Sequence, residues 1–112
     1  MECIFCRIIS GELKSDILYQ DEEVIAIRDI NPEAPTHLLV MPKAHIPSLT
    51  ETTAEHRGLL AHMCFTAIQL AKKEGVSEKG YRLVINSGIE AGQEVPHLHL
   101  HLLGGRKLGS LG

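Results

Sequence analysis

Hydrophobic and polar positions along the chain read as short strands, one long helix, and strands again. Ile17 to Gln20 leads into an acidic turn at Asp21, Glu22 and Glu23, and Val24-Ile25-Ala26-Ile27-Arg28 has the composition of a second strand. The segment from Asp29 to Pro35 holds two prolines, which remove donors and restrict the residues before them, so it reads as irregular. His37-Leu38-Leu39-Val40-Met41 is an apolar run suited to a strand that Pro42 ends. Between Thr52 and Gly75 the period changes. Leu59, Leu60, Met63, Cys64, Ala67, Ile68 and Ala71 recur at helical spacing, and Thr52-x-x-Glu55 has the form of a capping box. Lys72 and Lys73 complement the negative helix end, and Gly75 suits the C-terminal cap. Strands are expected again at Tyr81 to Asn86 and His97 to Leu103, separated by the small, polar loop Ser87 to Gln93. The tail from Gly104 to Gly112 reads as poorly anchored. Strands gathered around one helix predict an α+β fold with an antiparallel sheet.

Composition narrows the class. With 112 residues, 44% of them hydrophobic, the chain fits a single domain spanning residues 1–112, small enough that a structural metal or a partner subunit would help it. A formal net charge of -3 argues against nucleic acid as the main partner, though not against a mononucleotide, which needs only a few placed donors. The start, MECIFCRIISGE, lacks a basic leader and apolar stretch, and no run approaches the roughly 18 apolar residues that span a bilayer. No membrane association and a cytoplasmic location are therefore expected. Three cysteines are an odd number, and Cys3-x-x-Cys6 in a cytosolic chain favours metal or redox use over a disulfide framework. Two small core residues are the plain alternative. A redox pair normally opens a helix, and nothing after Cys6 promises a long one.

The most informative stretch is Pro96-His97-Leu98-His99-Leu100-His101-Leu102-Leu103. Alternation along a strand puts His97, His99 and His101 on one face and Leu98, Leu100 and Leu102 on the other. The leucines can pack beneath the helix, whereas no packing demand asks for three imidazoles. Three readings follow. The row is a solvated histidine face, or two of its members at i and i+2 ligate a catalytic zinc with a third ligand from elsewhere, or one imidazole acts as a nucleophile. The last needs one free ring nitrogen while the other donates to a fixed acceptor.

The His-φ-His-φ-His-φ-φ signature at His97 through Leu103 resembles the histidine triad (HIT) family, in its Hint branch. Further matching segments are Ile4-Phe5, Asp29-Ile30-Asn31-Pro32-Glu33-Ala34-Pro35-Thr36-His37, Gly80-Tyr81-Arg82, Gly92-Gln93-Glu94-Val95 and Leu103-Gly104-Gly105-Arg106. The likeness runs through nearly the whole chain in order. It implies a HIT fold whose sheet extends across a homodimer, and hydrolysis of purine nucleoside 5′-phosphoramidates through a covalent nucleotidyl-histidine. By position it implies His99 as the nucleophile, with His37 and His101 beside the phosphate. It implies Asp29 as acceptor for the ribose hydroxyls, and Asn86 and Gly92 on the phosphate side, with Gln93, Glu94 and Val95 in the same nucleotide-binding segment. Ile4, Phe5, Ile8, Ile27 and Ile30 match the base pocket. The bound nucleotide is implied to be a purine nucleotide such as AMP or its phosphoramidates. Many Hint proteins carry serine or threonine at the position of Glu94, where a hydroxyl can donate to the leaving group; some bacterial members carry glutamate there. The different-class alternative is a nucleotide-binding scaffold without turnover.

In a subset of bacterial members the resemblance pairs the C-x-x-C with two distant histidines around a structural zinc. The matching residues are Cys3, Cys6, His45 and His97. Two thiolates and two imidazoles would close a tetrahedral set with no position left for water. His56 and His62 fall outside this pattern, as exposed helix surface and a helix-face residue.

Overall fold

The computed structural model describes residues 3–112. Its elements, in chain order, are α1 (Ile4–Ile9), β1 (Ile17–Gln20), β2 (Val24–Arg28), β3 (Thr36–Pro42), α2 (Arg57–Lys73), β4 (Tyr81–Val84) and β5 (Leu100–Gly104), with short 3-10 turns before α2 and before β5. The strands form one antiparallel five-stranded sheet in the order β1-β2-β3-β5-β4. The last strand of the chain thus lies inside the sheet.

Both faces of the sheet are covered, which explains why β2 and β3 read as continuous apolar runs. Val24, Ala26, Leu38, Val40, Leu98, Leu100 and Leu102 point to one side and pack with Met63, Ala67, Leu70 and Ala71 of α2. Ile25, Ile27, Leu39 and Met41 point to the other, where α1 brings Phe5 and Ile8. Only α2 is evident from periodicity. The six residues of α1 are too few to show one.

Several boundaries differ from the sequence reading, each for a local reason. The hydroxyl of Thr52 donates to the Leu49 carbonyl at 2.7 Å, so it cannot cap the helix. Thr53 takes that place: its Oγ1 accepts from the Glu55 N–H and its own N–H donates to His56 Nδ1. His56 is therefore a capping residue rather than idle surface. Pro42 remains inside β3, paired with Val24 at the strand end where a missing donor costs little. The buried stripe of α2 runs through Met63, Thr66, Ala67, Leu70 and Ala71, which turns Cys64 outward. Gly75 ends the helix at φ 75°, with the Val76 N–H on the Ala71 carbonyl and its own on that of Lys72. β4 stops at Val84, and β5 begins only at Leu100. Upstream of Leu100 the backbone bonds elsewhere, with the Leu98 N–H on the Ile46 carbonyl at 2.7 Å.

Two anchors fix this frame. Asp21, at the β1–β2 turn, accepts from the Tyr19 hydroxyl and from the backbone of Glu23 and Val24, and it meets His62 Nε2 of α2 at 2.7 Å. Burial alone would raise the Asp21 carboxyl, but these donors outweigh it and hold the group well below the usual carboxylate range. The end of β5 is the second anchor. Gly105 sits at φ 95°, and a Cβ there would lie 2.8 Å from Pro35 Cβ. Arg106 reaches on from it to the Glu33 carbonyl, and Arg82 holds the Gly109 carbonyl, so the tail is tied at two points. Gly105→Ala should destabilise the protein by roughly 2 kcal/mol or more, from left-handed strain and the clash together; urea unfolding would measure it. Unchanged stability would mean that Pro35 yields freely.

Candidate active site and metal cluster

The α1 side of the sheet opens into a cavity of about 510 Å³, within the range of small-molecule sites (about 300–1,000 Å³). Its walls hold most of the residues singled out above. Ile4, Phe5 and Ile8 come from α1, Ile27 from the end of β2, and Asp29 and Ile30 from the segment that follows. Asn86 follows β4, while Gly92, Glu94 and Val95 belong to the loop before β5. His99 and His101 complete the lining. Leu13, Lys14, Ser15, Arg28, Glu33 and Leu39 also line it; Leu13, Lys14, Ser15 and Glu33 lie in loops that share no period, and Arg28 and Leu39 read simply as strand residues.

Two of the expected residues stand back from the cavity. Gln93 spends its side chain on the loop itself: Oε1 accepts from the Gly88 N–H, and Nε2 donates to the carbonyls of Pro47 and Val95. It braces the turn in which Gly92 adopts φ 86°. His37 is 2% exposed and lies behind His101.

The hydrogen bonds assign the histidine tautomers. The Glu33 N–H donates to His37 Nδ1 at 3.1 Å, so the ring proton of His37 is on Nε2. That Nε2–H faces His101 Nδ1 at 2.9 Å and Asp29 Oδ2 at 3.4 Å. Accepting at Nδ1 leaves His101 with its proton on Nε2. Burial, reinforced by His99 and His37 and opposed by Asp29, pushes His101 down to about 4, so it is a neutral donor near pH 7. His99 is arranged the other way round. Its Nδ1 lies 2.7 Å from the His97 carbonyl, which can only accept, so Nδ1 carries a proton and the lone pair of the neutral ring is on Nε2.

The depressed value of His101 has a consequence for stability. The unfolded chain takes up this proton near 6.5 and the folded one only near 4, so stability from this group falls as pH drops through that window. His101→Gln should flatten the pH dependence of urea unfolding between about 6.5 and 4. An unaltered slope would show that His101 does not stay neutral there.

Asp29 serves twice. Its Oδ1 accepts the Asn31 N–H at 2.9 Å, which is the turn role, and Oδ2 is left toward His37. Asp29, His37 and His101 are close enough to suggest a cation site. The Glu33 N–H on His37 Nδ1 argues against it, because ligation at Nε2 would require stripping that ring of its only proton.

A second cluster lies next to the cavity. Cys3 Sγ is 3.4 Å from His97 Nδ1, Cys6 Sγ is 3.3 Å from His45 Nδ1 and 3.7 Å from His97 Nδ1, and the two Nδ1 atoms are 3.2 Å apart. His97 Nε2 donates to the Pro42 carbonyl at 2.8 Å, which leaves Nδ1 a lone pair facing the sulfurs. Burial and the neighbouring Cys3 thiol push the Cys6 thiol up, and burial pushes His97 down. Converging soft donors in this geometry could hold a metal ion.

Residues 10–108 match the HIT domain family. The purine nucleoside phosphoramidase of Escherichia coli (strain K12) is 50% identical over 110 residues, covering 98% of this chain and 92% of that one. The chain belongs to the HIT family. Among solved HIT structures, the hydrolase from Legionella pneumophila Philadelphia 1 superposes with a TM-score of 0.94 at 47% identity, covering 96% of both chains. A Zn-bound HIT family protein from Mycobacterium smegmatis matches with a TM-score of 0.81 at 35% identity, over 95% of this chain and 76% of that one. The sheet with one main helix is thus the HIT fold. The triad is split between two neighbourhoods, with the His97 ring in the metal cluster and the His99 and His101 rings in the cavity. Among the described residues no helix is long and apolar enough to cross a membrane.

Proposed function

We propose that this chain, as one HIT domain, hydrolyses purine nucleoside 5′-phosphoramidates, with adenosine preferred, through a nucleotidyl group carried on His99 Nε2. The observation that carries the reading is the 2.7 Å bond from His99 Nδ1 to the His97 carbonyl, which places the lone pair of the neutral ring on Nε2 in a residue lining the cavity. The activity of the Escherichia coli relative, implied by its name, supports the substrate class.

In the first step the Nε2 lone pair attacks the α-phosphorus, an N–P bond forms, and the P–N bond to the amine breaks. The amine leaves with a proton taken from solvent, which the attacking water returns in the second step. Water then attacks the same phosphorus and releases the nucleoside monophosphate and free imidazole. His101 donates through Nε2–H to a non-bridging oxygen, and His37, fixed by the Glu33 N–H, orients it. Asp29 Oδ2 accepts from the ribose hydroxyls. Asn86 and Gly92 border the phosphate, while Ile4, Phe5, Ile8, Ile27 and Ile30 enclose the base. Glu94 lines the same cavity, and as a carboxylate it can only accept, so the leaving amine finds no hydroxyl donor at that position.

The Cys/His cluster is read as a structural zinc site. With Zn–S about 2.3 Å and Zn–N about 2.0–2.1 Å, tetrahedral edges come out near 3.3–3.8 Å, and the observed separations of 3.2–3.7 Å match. Zinc would be held by Cys3, Cys6, His45 and His97, and would supply cross-linking rather than an activated water. A homodimer is supported by β4, an edge strand whose residues are all half-buried and whose outer side is open to pairing with a copy. A cytoplasmic location accords with reduced cysteines.

Mixing the protein with adenosine 5′-phosphoramidate, quenching in alkaline denaturant, where the phosphorus–imidazole bond survives, and weighing the intact chain tests the mechanism. One AMP-sized adduct, localised by peptide mapping to His99, is the expected result. Turnover with no adduct at any quench time would point to direct attack by water.

A further inference from the structure

The metal cluster and the cavity meet in one residue. His97 is wholly buried, and both of its ring nitrogens are committed, Nδ1 toward Cys3, Cys6 and His45, and Nε2–H to the Pro42 carbonyl. Its own carbonyl receives the His99 Nδ1–H. The ring of Phe5, set between the two cysteines on α1, stands edge-on to both imidazoles, at 5.8 Å from His97 and 5.1 Å from His99. The ring is pinned at two nitrogens, and the peptide group beside it is held by the Leu98 N–H on the carbonyl of Ile46, the neighbour of His45.

We propose that His97 is a positioning residue for the reaction: occupancy of the Cys3–Cys6–His45–His97 cluster sets the tautomer and orientation of His99 through the His97 carbonyl. The inference rests on His99 being the nucleophile. With the cluster emptied, the His97 ring keeps a single tether at Pro42. The other hold on this peptide group, the Leu98 N–H on the Ile46 carbonyl, comes from the residue beside His45 and loosens with that ligand. The carbonyl can then tilt, and His99 gains access to the tautomer with its proton on Nε2, which has no lone pair there to offer phosphorus. A cluster that served only to hold the fold together would lower the melting temperature and leave the His99 ring as it was.

His45 is the ligand to remove, because it contributes to the cluster and does not line the cavity. Wild type and His45→Ala, both as full chains and the wild type loaded with zinc, would be compared below the melting temperature of the variant. The readouts are the imidazole nitrogen shifts of His99 by NMR, and kcat and KM for adenosine 5′-phosphoramidate. The expected result is a single Nδ1–H tautomer in the wild type, a mixture in His45→Ala, and a fall in kcat of about tenfold or more. Wild-type shifts and kcat in a variant with a lowered melting temperature would overturn the inference. Should His45→Ala fail to fold, zinc-loaded and cadmium-loaded wild type serve instead. Cadmium's longer bonds displace His97, so identical His99 shifts and kcat under the two loadings would overturn it equally. His99→Asn is run alongside: full turnover there sinks the nucleophile assignment itself, whereas an inert His99→Asn beside an unaffected His45→Ala sinks only the role of His97.

Discussion

Replacing His99 with asparagine should lower kcat for phosphoramidate hydrolysis by about three orders of magnitude or more, with AMP affinity changed only a few-fold. Asparagine suits the test because its amide can still donate to the His97 carbonyl, the bond that His99 Nδ1 makes at 2.7 Å. The substitution therefore deletes Nε2 while preserving the local tether. With a neutral His101 and the His37 relay intact, donors to the phosphate oxygens persist, and some residual rate over water is expected from them. AMP release under saturating substrate, together with calorimetric AMP binding, separates the outcomes. A loss of both binding and turnover would show that His99 shapes the cavity instead of attacking.

Emptying the proposed zinc site should have the largest effect on stability. A ligand that binds only the folded state stabilises it by roughly 4 kcal/mol when its free concentration is 1,000-fold above Kd. The four donors come from α1, the segment after β3 and the approach to β5, so no unfolded chain presents them together. Chelation should therefore lower the urea midpoint, and zinc should restore it. Cys3→Ser should behave like the chelated protein and lose the zinc response, while its Oγ can still accept the Cys6 N–H at the start of α1 as Cys3 Sγ does. An identical midpoint with and without chelator would show that the cluster stands on its own hydrogen bonds.

Much of this was legible before the structure, and for identifiable reasons. The leucine–histidine alternation survives even where the ladder does not: Leu98, Leu100 and Leu102 enter the α2 core, and the histidines face the other way. Extended backbone is enough for alternation, and a hydrogen-bonded partner is not needed. Gly75 signals a helix end correctly because a left-handed cap has few other solutions. What stayed hidden depends on tertiary partners. Thr52 and Thr53 are both plausible caps, and only the Leu49 carbonyl decides between them. α1 is a short six-residue helix whose helical state comes from packing Phe5 and Ile8 under the sheet. Gln93 sits in the segment that borders the cavity, and nothing in its type says that its amide turns back onto Gly88, Pro47 and Val95. His37 and His101 could be placed together only through resemblance, since 64 positions separate them.

The position of β5 has a consequence for synthesis. Hairpins β1–β2 and β2–β3 are local and can close early, but β3 and β4 acquire their shared neighbour only when the last strand slots between them. Until then β3 has one free edge, β4 has no partner, and the apolar face of α2 lacks Leu98, Leu100 and Leu102. A nascent chain therefore stays open-sheeted until β5 has been made, and its slow step is a long-range insertion. Because that same strand and its approach carry the histidines, a chain released early is not a weakened enzyme. It is an unfinished sheet with exposed edges, suited to recognition by chaperones or proteases.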